Sequence, residues 1–111
     1  MAENQNPTAS SSTSPPQLSF DKEISARIDE IDTALQEIEA ELDKIPDSTE
    51  RMLGHVRSSL LRSTHMFSAI LLDYAKMDSD NRSKCHKSTF EIERLHSLVK
   101  DRFAEVNRFR V

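Results

Sequence analysis

Apolar residues recur along this chain with the period of a helix. Ile24, Ile28, Ile31, Leu35, Ile38, Leu42 and Ile45 follow at alternating steps of four and three, the heptad spacing that turns one narrow stripe toward a partner helix. Outside the stripe the segment is polar except for Ala26, Ala34 and Ala40. A helix of a monomeric globular domain usually carries a broader apolar face, so this segment has the form of a coiled-coil strand. Ser19 stands where an N-cap belongs, with Asp21 and Glu23 in the first turn, where the helix dipole favours acids. Pro46 lacks an amide hydrogen and its ring clashes with the preceding turn, so the helix ends before it.

A second helix restarts at Asp47, with Glu50 three residues on, close to a capping box. Its stripe is Leu53, Val56, Leu60, Phe67, Ile70, Tyr74 and Met77, a heptad interrupted at Ser63. Met52, Met66 and Leu71 widen that face, which predicts contact with more than one neighbour. The run Met66 to Leu72 reads as the thickest part of a bundle core or as a groove for a partner helix, buried on either reading. Gly54 costs about 1 kcal/mol relative to Ala inside a helix, so it either permits close packing or is tolerated near the helix start. Asp78-Ser79-Asp80-Asn81 has turn composition without Gly or Pro, and both a break and a continuous helix fit it. Beyond it Ile92, Leu95, Val99, Phe103 and Val106 recur at a spacing that resembles a stutter.

Residues 1–18 lack this pattern. They hold Pro7, Pro15, Pro16 and six Ser/Thr between Thr8 and Ser14, too little apolar surface to offset chain entropy. Ser14-Pro15 has the form of a proline-directed phosphorylation site, a pair common in such tails. The pattern therefore predicts an all-α fold: a disordered tail over 1–18, then a coiled coil or helical bundle over 19–111, with helices near 19–45, 48–77 and 82–109.

Composition narrows the class. Of 111 residues 36% are apolar and one is Gly. A compact α/β enzyme needs glycines for tight turns and close backbone approach to a ligand, and no Gly-rich phosphate loop fits a single glycine. With Ile28, Leu35 and Leu42 at a, isoleucines fill d, an arrangement that in parallel coiled coils favours more than two strands. The flanks carry Asp32, Glu39 and Glu41 against Arg27, and residues 21–45 have nine acids and three bases. Parallel copies of this helix would repel, so a basic partner suits it better. Residues 82–111 carry eight bases and four acids, complementary to the first helix within one chain or between chains of an assembly.

Candidate chemistry is sparse. His55, His65, His86 and His96 lack the i, i+3 or i+4 spacing of helical metal ligands and read as solvated surface residues. The carboxylates of 21–43 lie on an exposed helix, without the pocket that tunes an acid or base. The sequence thus predicts no enzyme, no cofactor, no metal and no small-molecule substrate. The overall charge of −4 argues against nucleic acid, although Arg102 to Arg110 mixes basic and aromatic residues in a way that suits phosphates or an anionic surface. Packing is the better use of that stretch, because Phe103 and Val106 lie on the seam. Cys85 is the single cysteine, which gives no disulfide scaffold. No apolar run approaches the roughly 20 residues of a membrane span, and neither a secretory signal nor a lipidation motif is expected. Cytosol or nucleus is the expected compartment.

The second half of the chain resembles the KxDL-motif family of small coiled-coil proteins. The resemblance lies in Ile70-Leu71-Leu72-Asp73-Tyr74, in Ser83, and above all in Leu98-Val99-Lys100-Asp101-Arg102-Phe103-Ala104-Glu105-Val106-Asn107-Arg108-Phe109-Arg110. Lys100 and Phe103 match the family's ending in kind, Val106 and Arg108 fit it, and Arg102 stands where the family has its aspartate. The resemblance implies a non-catalytic subunit of assemblies that build lysosome-related organelles or position lysosomes, on the cytosolic face of those membranes.

The expectation is accordingly a non-enzymatic coiled-coil adaptor, one subunit of a hetero-oligomeric helical complex. The seam residues from Ile24 to Ile45, Leu53 to Met77 and Ile92 to Val106 named above are its candidate partner-binding residues, and other coiled-coil proteins its partners. Any membrane association would run through the complex. Two other readings fit the same pattern: a kinetochore or microtubule-associated bundle subunit, and a stand-alone helical regulator of a protein target.

Overall fold

The computed structural model describes residues 15–44 and 50–108. Three α-helices follow one another: α1 (Pro15–Lys44), α2 (Glu50–Leu71) and α3 (Ser79–Arg108), with a short 3-10 turn at Tyr74–Lys76 between the last two. Residues 1–14, Ile45, Pro46, the Asp47 cap and Phe109 to Val111 lie outside the described residues.

α1 starts at Pro15, four residues before the expected cap at Ser19. Pro15 and Pro16 occupy a first turn whose amides have no intrahelical acceptor, so their missing donors cost nothing there. Residues 15–18 therefore belong to the helix and not to the tail. The second correction concerns the far end of α2. The helix stops at Leu71, short of 77, and α3 begins at Ser79, ahead of 82. Asp78 makes this break without Gly or Pro: its Oδ1 accepts the Asn81 amide at 2.8 Å, an N-cap that answers one of the free amides of α3. Arg82 ties down the turn from the other side, donating through Nε to the Tyr74 carbonyl at 3.2 Å and through Nη2 to the Ala75 carbonyl at 2.7 Å.

Side-chain pairs fix the topology. Arg57 lies over Phe103, Thr64 meets His96 and Tyr74 meets His86; the numbers run in opposite directions, so α2 and α3 are antiparallel. Asp21 meets Asn81, Asp32 meets Ser88, Glu39 meets Arg94 and Leu42 meets Arg102; these rise together, so α1 and α3 are parallel. The chain is an up-down-up bundle of three helices, each packed on the other two.

The three seams converge on one core. Ile24, Ile28, Ile31, Leu35, Ile38 and Leu42 of α1 are buried, together with Leu53, Val56, Leu60, Phe67 and Ile70 of α2, Met77 of the connection, and Cys85, Ile92, Leu95, Val99 and Val106 of α3. Phe20, Tyr74 and Phe103 are partly buried against it. The apparent stutter of α3 is absent. Its buried positions Asn81, Cys85, Ser88, Ile92, Leu95 and Val99 keep strict heptad steps, Arg102 takes the next step, and Val106 the one after. Polar residues had hidden the repeat. Ser63 fills the missing step of α2 in the same way, buried at 6% exposure.

Candidate partner-binding surface

Bundle formation decides which charges remain for other molecules. On the flank of α1 that faces α3, the acids are met within the chain. Lys84 Nζ lies 3.0 Å from Asp29 and donates to Ser25 Oγ, Ser88 Oγ donates to Asp32 at 2.7 Å, and Arg94 Nη2 donates to Glu39 at 2.8 Å. Glu91 shares the Arg94 guanidinium at 2.7 Å, and the two carboxylates hold that group firmly protonated. The complementarity of acidic first helix and basic last helix is thus realised inside one molecule. On the flank that faces α2, Glu37 and Glu41 are exposed and have no ion pair among the described residues.

Small side chains on that second flank leave a groove between α1 and α2 of about 560 Å³. Ile38, Val56 and Ser63 line its buried part, Ala34 and Ser59 keep it open, and Met52 and Met66 lie along its α2 side. Glu37 and Glu41 form the α1 rim, His55 and Arg62 the α2 rim. The Ser63 hydroxyl has no hydrogen-bond partner among the described residues. A more open depression over α1 shares Ala34 and Glu37 with the groove and adds Glu30 and Asp29, the latter already paired with Lys84.

The expected seam residues fall into place as follows. Those of α1 up to Leu42, those of α2, and Ile92 to Val106 face one another within the chain, while Ile45 lies outside the described residues. α2 packs on both other helices, as its widened face predicts, but Met52, Met66 and Leu71 are not buried there. They stand 41%, 48% and 38% exposed, and Leu72 reaches 85%. The run Met66 to Leu72 is therefore buried only at Phe67 and Ile70, because consecutive residues on a helix cannot all face one core. Gly54 permits no close approach: a Cβ there would meet nothing within 4 Å. His55, His65 and His86 are exposed, as expected of surface histidines, His86 also meeting Tyr74 at 2.8 Å, whereas His96 is partly buried beside Thr64 at 3.0 Å. The Thr64 hydroxyl already donates to the Leu60 carbonyl, and a hydroxyl has one hydrogen, so His96 Nε2 is the donor of that pair.

Sequence reasoning missed the groove as a place. Its signals were there in the seven-residue recurrence of Met52, Ser59 and Met66 and in Ser63 on the seam, but they gain meaning only beside Ala34.

Among the described residues no group of three or more His, Cys, Asp or Glu side chains is placed to hold a metal ion, and no helix is long and apolar enough to cross a membrane. Cys85 is buried, its Sγ 3.5 Å from Met77 Sδ. Burial first, and then the nearby Asp32 carboxylate, push its thiol above the ordinary value.

The molecule belongs structurally to the all-α helical bundles. No family model, no curated protein and no solved structure matches the chain.

Proposed function

We propose that this chain is a non-enzymatic helical adaptor, a small subunit that joins a hetero-oligomeric complex of coiled-coil proteins. The observation that carries this reading is the α1–α2 groove, an apolar trough between rims of opposite charge. Exposed methionines beside such a trough suit partner binding, because the unbranched thioether adapts to the surface it meets. The seams hold the bundle together, and the outer groove is left for the partner. The KxDL-like ending, with Arg102 in place of the aspartate, directs the reading to complexes on the cytosolic face of endosomes or lysosomes.

One observation favours a second reading. All three seams close on one another within a single chain, as a stand-alone regulator of a protein target requires. Affinity purification of the tagged full chain from its own cells, followed by native mass of the eluate, separates the two. A stoichiometric set of helical partners, lost when Met52 and Met66 are both changed to Asp, supports the adaptor. Recovery of the chain alone, as a monomer with a cooperative melt, overturns the adaptor in favour of the regulator.

A further inference from the structure

The two rims of the α1–α2 groove specify what kind of surface fits it. Glu37 and Glu41 stand on one side and Arg62 on the other, all exposed, and none has an ion pair among the described residues. The contrast with the opposite flank of α1 is chemical: there Lys84 and Arg94 of α3 answer Asp29 and Glu39. Along the α2 side nothing plays that part. The trough between the rims has helices for both walls, so an elongated, convex occupant lying along it makes the longest contact. A helix has that shape, at about 10–12 Å across with side chains. A second identical groove laid face to face would leave the space between them empty, and such voids forfeit packing energy.

We infer that the groove takes one amphipathic helix of a partner protein, with a stated charge order. Its apolar stripe, spaced i, i+3, i+4, i+7, enters between the rims. Lys or Arg lines the flank lying over Glu37 and Glu41, and Asp or Glu lines the flank lying over Arg62. A polar residue within the stripe meets the Ser63 hydroxyl. Because reversing a helix end for end exchanges its left and right flanks, this order also fixes the direction in which the partner lies. The inference rests on the adaptor reading and names the partner's chemistry.

The test uses the full chain and three labelled synthetic helical peptides with one shared Leu/Ile stripe. One carries Lys on one flank and Glu on the other, the second carries Lys on both, and the third Glu on both. Fluorescence anisotropy should show the mixed peptide binding at least tenfold more tightly than the all-Glu peptide, and more tightly than the all-Lys one. Glu37→Lys with Glu41→Lys makes both rims basic and should transfer the preference to the all-Glu peptide. Met52→Asp with Met66→Asp should abolish binding of all three while the helical circular dichroism is kept. Equal binding of the three peptides, or a preference that the rim variant leaves unmoved, overturns the inference. So does concentration-dependent self-association that the rim variant removes, since the occupant is then a second copy. If the purified complex of the preceding test survives the rim variant but is lost with Met52→Asp and Met66→Asp, the charge order falls and the adaptor reading stands. If the wild-type chain is recovered alone, the adaptor reading falls first.

Discussion

Leu60 and Leu72 show how little side-chain type says about a residue's place in this bundle. Leu60 lies in the middle of α2 and Leu72 just past its end, and Leu60 is 0% exposed where Leu72 is 85% exposed. Truncating a buried leucine removes its transfer free energy and leaves a cavity, at a cost of about 2–5 kcal/mol. Leu60→Ala should fall in that range in urea unfolding, and Leu72→Ala within about 0.5 kcal/mol of wild type. Cys85 makes a second prediction at this scale. Its thiol is buried and held neutral by burial and by Asp32, and the thiolate is the reactive form. A disulfide reagent should therefore label it slowly in the native protein and fast in urea. Because its folded pKa is raised above the ordinary 9.0, the stability it contributes is present below that value and lost as pH rises through the folded value. Wild type should lose stability more steeply than Cys85→Ala when unfolding is compared on either side of pH 9.0.

Among the elements, the break between α2 and α3 is held by one carboxylate and one guanidinium as well as by backbone turns. Asp78 caps α3 through the Asn81 amide, while Arg82 secures the carbonyls of the 3-10 turn. Asp78→Ala should cost about 1 kcal/mol in thermal or urea unfolding, and a loss near zero would mean the turn holds without its cap. The heptads of α1 were plain in the sequence because every step is Ile or Leu. Those of α3 were not, since Asn81, Ser88 and Arg102 fill seam steps that an apolar count passes over and leave Cys85 isolated. These residues are tolerated in the seam because most have found partners: Asn81 Nδ2 donates to the Asp21 carbonyl at 3.1 Å, Ser88 to Asp32, and Arg102 Nη1 to the Leu42 carbonyl at 3.2 Å. The register of α3 on α1 is set by these polar contacts as well as by the apolar layers, as a single polar seam residue sets register in coiled coils.

For the whole molecule, the parallel arrangement of α1 and α3 makes a geometric prediction. Ala26 and Ser83 are exposed neighbours of the Ser25–Lys84 contact, so labels on both should lie within the spacing of two packed helices, about 8–10 Å between axes, plus the linkers. Förster transfer or spin-label distances check this directly. An opened rod, with α3 running away from α1, would place the labels farther apart than the length of α2. That result would return the seams to the partners that their narrowness first predicted.

What the sequence determined by itself is local. Heptad periodicity, Pro46, the charge of each segment and the scarcity of glycine specify long amphipathic helices in an all-α protein, because each is a property of neighbours along one chain. Tertiary structure decided the rest: that the three seams close on one another, that α3 neutralises one flank of α1, and that Ala34, Ser59 and Ser63 together open a groove between α1 and α2. A narrow apolar stripe is satisfied equally by a helix of its own chain or of another. Which one it meets depends on where the connections let the helices turn, and a groove exists only where two flanks of small residues come to lie side by side.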